Sequence, residues 1–534
     1  MMESNNLKSN DESIVYKIES KLNLFTKLPV IPLIIIGIIA LSIRLLFFEP
    51  EIPIRQDATA YFWYAIDMSI LHRFPVSVHA NDGWPIFLSL FFSVFNFESY
   101  LEYTILQRMV TIIISVITII PMYYLCRRFF EPIYSIVGVS LFVFEPHIIQ
   151  NSLLGLTEPF YILLGVTAFA LFLNNNQKLM YGSFAIVGFA TIVRAEGITL
   201  LVILCTVYFL INKKNLRNVR KILIAVSIFA LIFIPMTMIK AQTSSIESST
   251  LQNISNWSYA TVADPNYSIL NEDMFKVGFE TLAKRFAQSM IPYFAIFMPF
   301  GLFLIFKDRT RENYFLIISL VVYSLVAVRM FSVVHDLRLI LILYPIFAIL
   351  SVITIKYITK NLETGKIFLI LIIGGSLILS GYYLYSEMNY EYEKEAIVFA
   401  SYMVENVQVS NNFYPESGYV YGVWATSSLK FPLISSSASY SGPELLDYVK
   451  NSFNYLEKES SSIEEYIILA RDQGLTHLVI DDKENRAEFF RDIYYNEEKF
   501  PYLIKEFDSR DVGFKFYKVK VFKIDYDYFD KLQK

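Results

Sequence analysis

The stretch VIPLIIIGIIALSIRLLFF, residues 30–48, runs for nineteen residues with a single charge, Arg44. As an α-helix at about 1.5 Å per residue it reaches ~28 Å, close to the depth of a bilayer's hydrocarbon core. A second run, IFLILIIGGSLILSGYYLY at 367–385, carries no charge at all. Across the 534 residues 54% are hydrophobic and 18% charged, with mean hydropathy +0.43. Soluble domains carry more charge, about a quarter of their residues. The chain therefore reads as a polytopic α-helical membrane protein. A polar segment precedes the first run and no small-residue cleavage site follows it, so residues 30–48 read as a span and not as a cleaved signal.

Outward from these runs, about eleven spans of roughly 16–22 residues are expected: 29–48, 107–126, 133–150, 156–173, 179–193, 198–211, 222–240, 291–306, 314–334, 337–355 and 367–385. The segments CRRFFEP, INKKNLRNVRK, FKDRTREN and KYITKNLETGK then share one side with the N-terminal tail. Lys and Arg concentrate on the cytoplasmic face, which puts that side inside and the C-terminal segment outside. The apolar stretch WPIFLSLFFSVFNF (84–97) is short for a crossing. It is expected to lie in the outer interface with its aromatics at headgroup depth; a short tilted span is the other reading. Three Asn-x-Ser patterns, at Asn253, Asn256 and Asn266, fall in the long polar loop that this topology places outside.

Three regions follow. Residues 1–28 are a cytoplasmic tail, and 29–386 a membrane domain with a first external loop at 49–106 and a long one at 241–290. Residues 387–534 form an extracytoplasmic domain. In that last region EKEAIVFASYMVENV and SIEEYIILARDQG have helical periodicity, while THLVIDD and KFYKVKVFKID read as strands, so an α/β domain is expected. It has no nucleotide-binding glycine fingerprint. The two cysteines and five histidines, scattered along the chain, support neither a disulfide framework nor a metal site. The net charge of −4 decides little, because in a membrane protein charge placement matters more than the sum. No nucleic-acid partner is expected.

Four external turns place ionisable groups against apolar sequence. Asp57 follows the first span in IPIRQDATAYFWYAIDM (52–68), with Asp67 further along as a solvated or capping acid. Glu158 lies in LLGLTEPFYILL, Arg194 and Glu196 in ATIVRAEGITLL, and His335, Asp336 and Arg338 in SVVHDLRLILIL. Such groups cost several kcal/mol at depth unless paired or hydrated, so each is a functional hypothesis. The plain alternative is that they pair among themselves: Arg194 with Glu196 or Glu158, and Asp336 with Arg338. Carboxylates suit proton abstraction from a hydroxyl, and arginines suit a leaving phosphate.

Together these residues resemble the membrane-embedded GT-C glycosyltransferases that use polyprenyl-phosphate sugars, such as protein O-mannosyltransferases and aminoarabinose transferases of archaeal and bacterial type. The resemblance covers roughly residues 29–386. It rests on Asp57 followed by Tyr61, on HANDGWPIFLSLFF closing the first loop, on the Thr157-Glu158-Pro159 turn, on Arg194-x-Glu196-Gly197, and on HDLRLILILYPIFAIL. Two departures stand out. Ala58 follows Asp57 where relatives often carry a second acid, and the oligosaccharyltransferase signature Trp-Trp-Asp is absent. The latter disfavours transfer of a whole glycan to asparagine.

The resemblance implies transfer of a hexose or pentose from a polyprenyl (dolichyl-type) phosphate to a hydroxyl of a glycan, lipid or protein acceptor, at the outer membrane surface of the cell envelope. It implies Asp57 and Glu158 as catalytic residues, and Arg194, Arg338 and His335 at the donor phosphate. Tyr61, Arg55, Glu196, His79 and Asp82 would form the acceptor and sugar pocket. It requires no cofactor and leaves a divalent metal open. Two competing readings remain: a lipid-linked glycan polymerase or ligase, and a transporter or flippase. The latter expects charges deep in several spans, where this chain has few.

Overall fold

The computed structural model describes residues 30–52, 54, 57–70, 72, 81–95, 97, 100–212, 215–243, 272–307, 310–332, 334–360, 362, 365–406, 419–422, 460–471, 475–482 and 487–533. Arg55, His79, the N-terminal tail and the three glycosylation patterns lie outside them. The described residues group into two compact units. One comprises Met1–Phe48, Asp67–Phe91 and Gln107–Glu387; the other comprises Glu49–Ile66, Phe92–Leu106 and Met388–Lys534.

The first unit is helical. Its elements are α1 (Val30–Leu46), the end of α2 (Asp57–Ser69), α3 (Gly83–Phe92), most of α4 (Tyr100–Ile117), α5 (Ile119–Cys126), α6 (Pro132–Val143), α7 (Pro146–Ser152), α8 (Glu158–Phe172), α9 (Gln177–Val193), α10 (Gly197–Ile211) and α11 (Leu216–Thr243). After these come α12 (Glu272–Ser289), α13 (Phe294–Ile305), α14 (Arg311–Phe331), a 3-10 helix (Leu337–Leu343), α15 (Tyr344–Thr359) and α16 (Gly365–Glu387). Every expected span falls on one of these helices or on a consecutive pair. Among the described residues five helices are long and apolar enough to cross a membrane, or seven if two bent pairs each count as one span. The shorter apolar helices α8, α9 and α10 have 15 to 17 residues, which at ~1.5 Å each reach only about 22–26 Å.

One bent pair has a readable cause. Pro146 cannot donate a backbone hydrogen bond, so α6 ends at Val143 and α7 restarts at a 55° angle. Glu145 caps the restart, its Oε2 accepting from Ile148 N at 2.9 Å. The break frees carbonyls inside the bundle, and Arg44 meets one of them. Its guanidinium, fully buried, donates to Val143 O at 3.2 Å, Ser115 Oγ at 2.9 Å, Ser152 Oγ at 3.2 Å and Ala40 O at 2.9 Å. The one charge in the founding apolar run is thus an internal clamp between α1, α4 and the α6–α7 break.

The helix expected in the interface, α3, packs differently from its expected role. Trp84 is fully buried, and Phe87 stacks on Phe160 of α8 with ring centroids 4.4 Å apart. These aromatics bury against protein, and not at headgroup depth.

In the second unit, α17 (Glu391–Asn406), α18 (Ile463–Arg471), α19 (Glu488–Tyr495) and α20 (Tyr526–Leu532) accompany a four-stranded sheet. The strands are β1 (Tyr419–Gly422), β2 (Leu475–Asp481), β3 (Leu503–Asp508) and β4 (Val519–Ile524), in the order β1-β2-β4-β3. β1 runs parallel to β2; the other pairs are antiparallel. Side chains alternate across a strand, so Leu478 and Ile480 join Phe490, Ile493 and Phe522 on one face. Val479, Val519 and Val521 join Phe399 of α17 on the other.

Candidate functional site

Three turns of the helical unit converge. The first precedes α8. Gly155 has φ +73°, a conformation that penalises any Cβ, and its carbonyl accepts from Gln107 Nε2 at 2.8 Å. Arg108 Nε holds the neighbouring Leu153 O at 2.8 Å. This turn delivers Thr157, Glu158 and Pro159, with Glu158 in the first turn of α8, where a carboxylate complements the helix dipole. The second turn joins α9 to α10. A Cβ on Gly197 would lie 2.6 Å from Thr191 Cα, so only glycine closes it. The third turn leads into the 3-10 helix, capped by Asp336, whose Oδ1 accepts from Arg338 N at 2.9 Å.

The cluster is built of ion pairs between turns. Arg194 Nη1 donates to Glu158 Oε1 at 2.5 Å and to Thr157 Oγ1 at 2.9 Å, while Nη2 donates to Glu196 Oε1 at 2.9 Å. Arg338 Nε donates to Asp336 Oδ2 at 2.6 Å, and its Nη1 lies 3.8 Å from Glu158 Oε1. The pairings expected of purely structural ion pairs therefore form, and two of them also join separate turns. Burial opposes charge on Glu196, but the charge of Arg194 and its hydrogen bond, with the charge of Arg338, outweigh it. Its carboxyl is held below the usual range.

Around these side chains lies a cavity of about 220 Å³ lined by Glu158, Tyr161, Ile162, Arg194, Glu196, Tyr323, Arg338, Leu339, Leu341 and Ile342. Tyr161 and Tyr323 were not expected from the sequence. Tyr161 had a signal, since it lies three residues beyond Glu158 on the same helical face. Tyr323 had none: it sits inside the apolar run of α14.

The remaining expected site residues fall elsewhere. Asp57 opens α2 and is half-buried; Tyr61, one turn on, is 5% exposed. Both belong to the second unit. Asp82 is buried at the start of α3. His335 is exposed and does not line the cavity. Asp67, expected as a solvated acid, is 2% exposed at the far end of α2. A second polar chain that the sequence did not suggest runs through the helical unit. His147 Nδ1 bonds Glu145 Oε1 at 2.7 Å and its Nε2 meets the Tyr383 hydroxyl at 3.2 Å, tying α7 to α16.

Among the described residues no three His, Cys, Asp or Glu side chains are grouped to hold a metal ion. The carboxylates of Glu158 and Glu196 are committed to Arg194. This donor set does not fit a metal, and no step below passes through one.

Residues 84–239 match the family described as dolichyl-phosphate-mannose-protein mannosyltransferase. No curated protein matches the chain. Among solved structures, the Archaeoglobus fulgidus oligosaccharyltransferase in its apo form aligns with TM-score 0.56 at 12% identity, covering 84% of this chain and 69% of that one. The same organism's AglB, in complex with an inhibitory peptide and a dolichol-phosphate, aligns at 0.54 and 12% identity over 90% and 73%. ArnT from Cupriavidus metallidurans, bound to undecaprenyl phosphate, aligns at 0.55 and 10% identity over 92% of this chain and 97% of that one. By its fold and by the family segment within its membrane region, the chain belongs to the GT-C superfamily of membrane-embedded glycosyltransferases.

Proposed function

We propose that the chain transfers a single sugar from a polyprenyl (dolichyl-type) phosphate to an acceptor hydroxyl on the external face of the membrane. One observation carries the reading: on a GT-C fold, three chain-distant turns bring Glu158, Arg194, Glu196 and Arg338 around one cavity. The two similar structures that hold dolichol-phosphate and undecaprenyl phosphate support this donor class.

In the proposed reaction the acceptor oxygen attacks the anomeric carbon and the bond from that carbon to the phosphate oxygen breaks. The phosphate leaves on its lipid. Asp57 takes the acceptor's proton as general base. Arg338 is the stronger candidate for the leaving phosphate. Its side chain is 23% exposed against 12% for Arg194, whose two Nη groups already serve two carboxylates. Arg194 then fixes Glu158 in place. His335, Tyr61, Arg55, His79 and Asp82 remain as contacts for the donor or acceptor, which is a glycan, lipid or protein.

The test is direct. Purified protein is incubated with radiolabelled polyprenyl-phosphate hexoses and pentoses plus a membrane extract as acceptor. Label leaving the lipid phosphate for a new product is expected; no release from any donor would sink the reading.

A further inference from the structure

Two buried polar atoms of the cavity have no partner in the chain: Glu158 Oε2 and the Tyr161 hydroxyl. Their residues are 2% and 3% exposed. A buried polar group left unpaired costs roughly 1–3 kcal/mol, so two on one wall call for a ligand that satisfies both. Tyr323 makes the contrast, because its hydroxyl is spent on Leu339 O.

The chemistry of that ligand follows from what is unspent. Glu158, paired with Arg194, is an ionised carboxylate, and its free oxygen only accepts. A phosphate offers no donor to it when ionised and would be repelled. The cavity's two acids and two arginines balance, so its wall favours a neutral group. A hydroxyl both donates to a carboxylate and pairs with a phenol. The rest of the lining, Tyr323, Leu339, Leu341 and Ile342, offers ring and aliphatic surface for the C–H face of a sugar. The size also selects: about 220 Å³ lies below the ~300–1,000 Å³ of ordinary drug-sized pockets. One ring fits there, and a chain of sugars does not.

We infer that this cavity is the pocket for the donor's monosaccharide, with Glu158 Oε2 and the Tyr161 hydroxyl holding its hydroxyl groups and Arg338 left to the phosphate. The inference rests on the transferase reading above and adds the residue, Tyr161, that distinguishes a sugar-bearing lipid from a bare one.

Tyr161→Phe removes one oxygen and keeps the ring. Binding of polyprenyl-phosphate hexoses and of sugar-free polyprenyl phosphate is measured on the detergent-purified wild type and variant, with thermal unfolding as the check on folding. The wild type should prefer a sugar-bearing lipid. The variant should bind that lipid about tenfold more weakly, the scale of one hydrogen bond, and bind the bare lipid phosphate as the wild type does. An equal loss for both lipids, or no loss for either, overturns the sugar pocket. So does a wild type that transfers sugar yet binds the two lipids alike; in that case the transferase reading stands. A wild type that binds neither lipid and transfers nothing removes the transferase reading and the pocket with it.

Discussion

Arg194 and Arg338 carry the same charge but are differently engaged, and the difference sorts their roles. Arg194 bridges Glu158, Glu196 and Thr157 with its planar fork. Lysine has no such fork. Arg194→Lys is therefore expected to lower thermal stability first. Arg338→Lys should instead weaken donor binding by about 1–3 kcal/mol, the worth of a charge-assisted hydrogen bond. Donor affinity unchanged in both variants would return both arginines to structural pairing. Asp57 makes the sharper prediction. As a general base it contributes on the order of 10²–10⁴ in rate. Asp57→Asn keeps shape and hydrogen bonding but cannot take the proton, so it should insert and bind donor normally while transferring almost no sugar. Asp67 is buried and makes a poor control. Glu51, exposed in the same segment, is a better one, and Glu51→Gln should retain most activity. An Asp57→Asn enzyme that turns over like the wild type would remove the assignment.

At the level of elements, the α6–α7 break and its clamp hold α7 at the angle that leads into the Gly155 turn and so to Glu158. Arg44 supplies donors to Val143 O and to the Ser115 and Ser152 hydroxyls from inside the bundle. Arg44→Met fills similar space without donors. Each acceptor left unsatisfied costs about 1–3 kcal/mol, so the variant should unfold at clearly lower temperature in detergent. A melting temperature within experimental error of the wild type would show that water replaces the arginine. The Glu145–His147–Tyr383 chain joins the same break to α16. These contacts explain why a helix interrupted by proline keeps a defined bend: its freed polar groups find partners on neighbouring helices.

For the molecule as a whole the open question is sidedness. Basic loops point to the cytoplasm, which predicts that residues near 215 face inside and the 387–534 region faces outside. Cysteines placed at Asn215 and Ser461 would report this in intact cells with an impermeant thiol reagent. Ser461 should label and Asn215 should not. Of the native thiols, Cys126 is buried and adds little background, while Cys205 is partly exposed and sets the blank. Labelling at Asn215 without labelling at Ser461 would invert the topology, and with it the face at which donor and acceptor are proposed to meet.

The order of the apolar helices and the strands of the C-terminal region were legible in the sequence, because partition into hydrocarbon and period-two alternation are properties of local composition. So were the turns carrying Glu158, Arg194, Glu196 and Arg338, since ionisable groups stand out against apolar sequence. Which of them meet was not legible. Sequence spacing left Arg194 free to choose Glu196 or Glu158, and the packing of α8 against α9 gave it both. Nor could spacing tell that Tyr161 would keep an unspent hydroxyl while Tyr323 gave its own to Leu339. Arg44 likewise read as an isolated charge until the α6–α7 break placed a free carbonyl beside it. Hydrogen-bond satisfaction depends on which distant backbone falls within about 3 Å, and only the tertiary packing sets that distance.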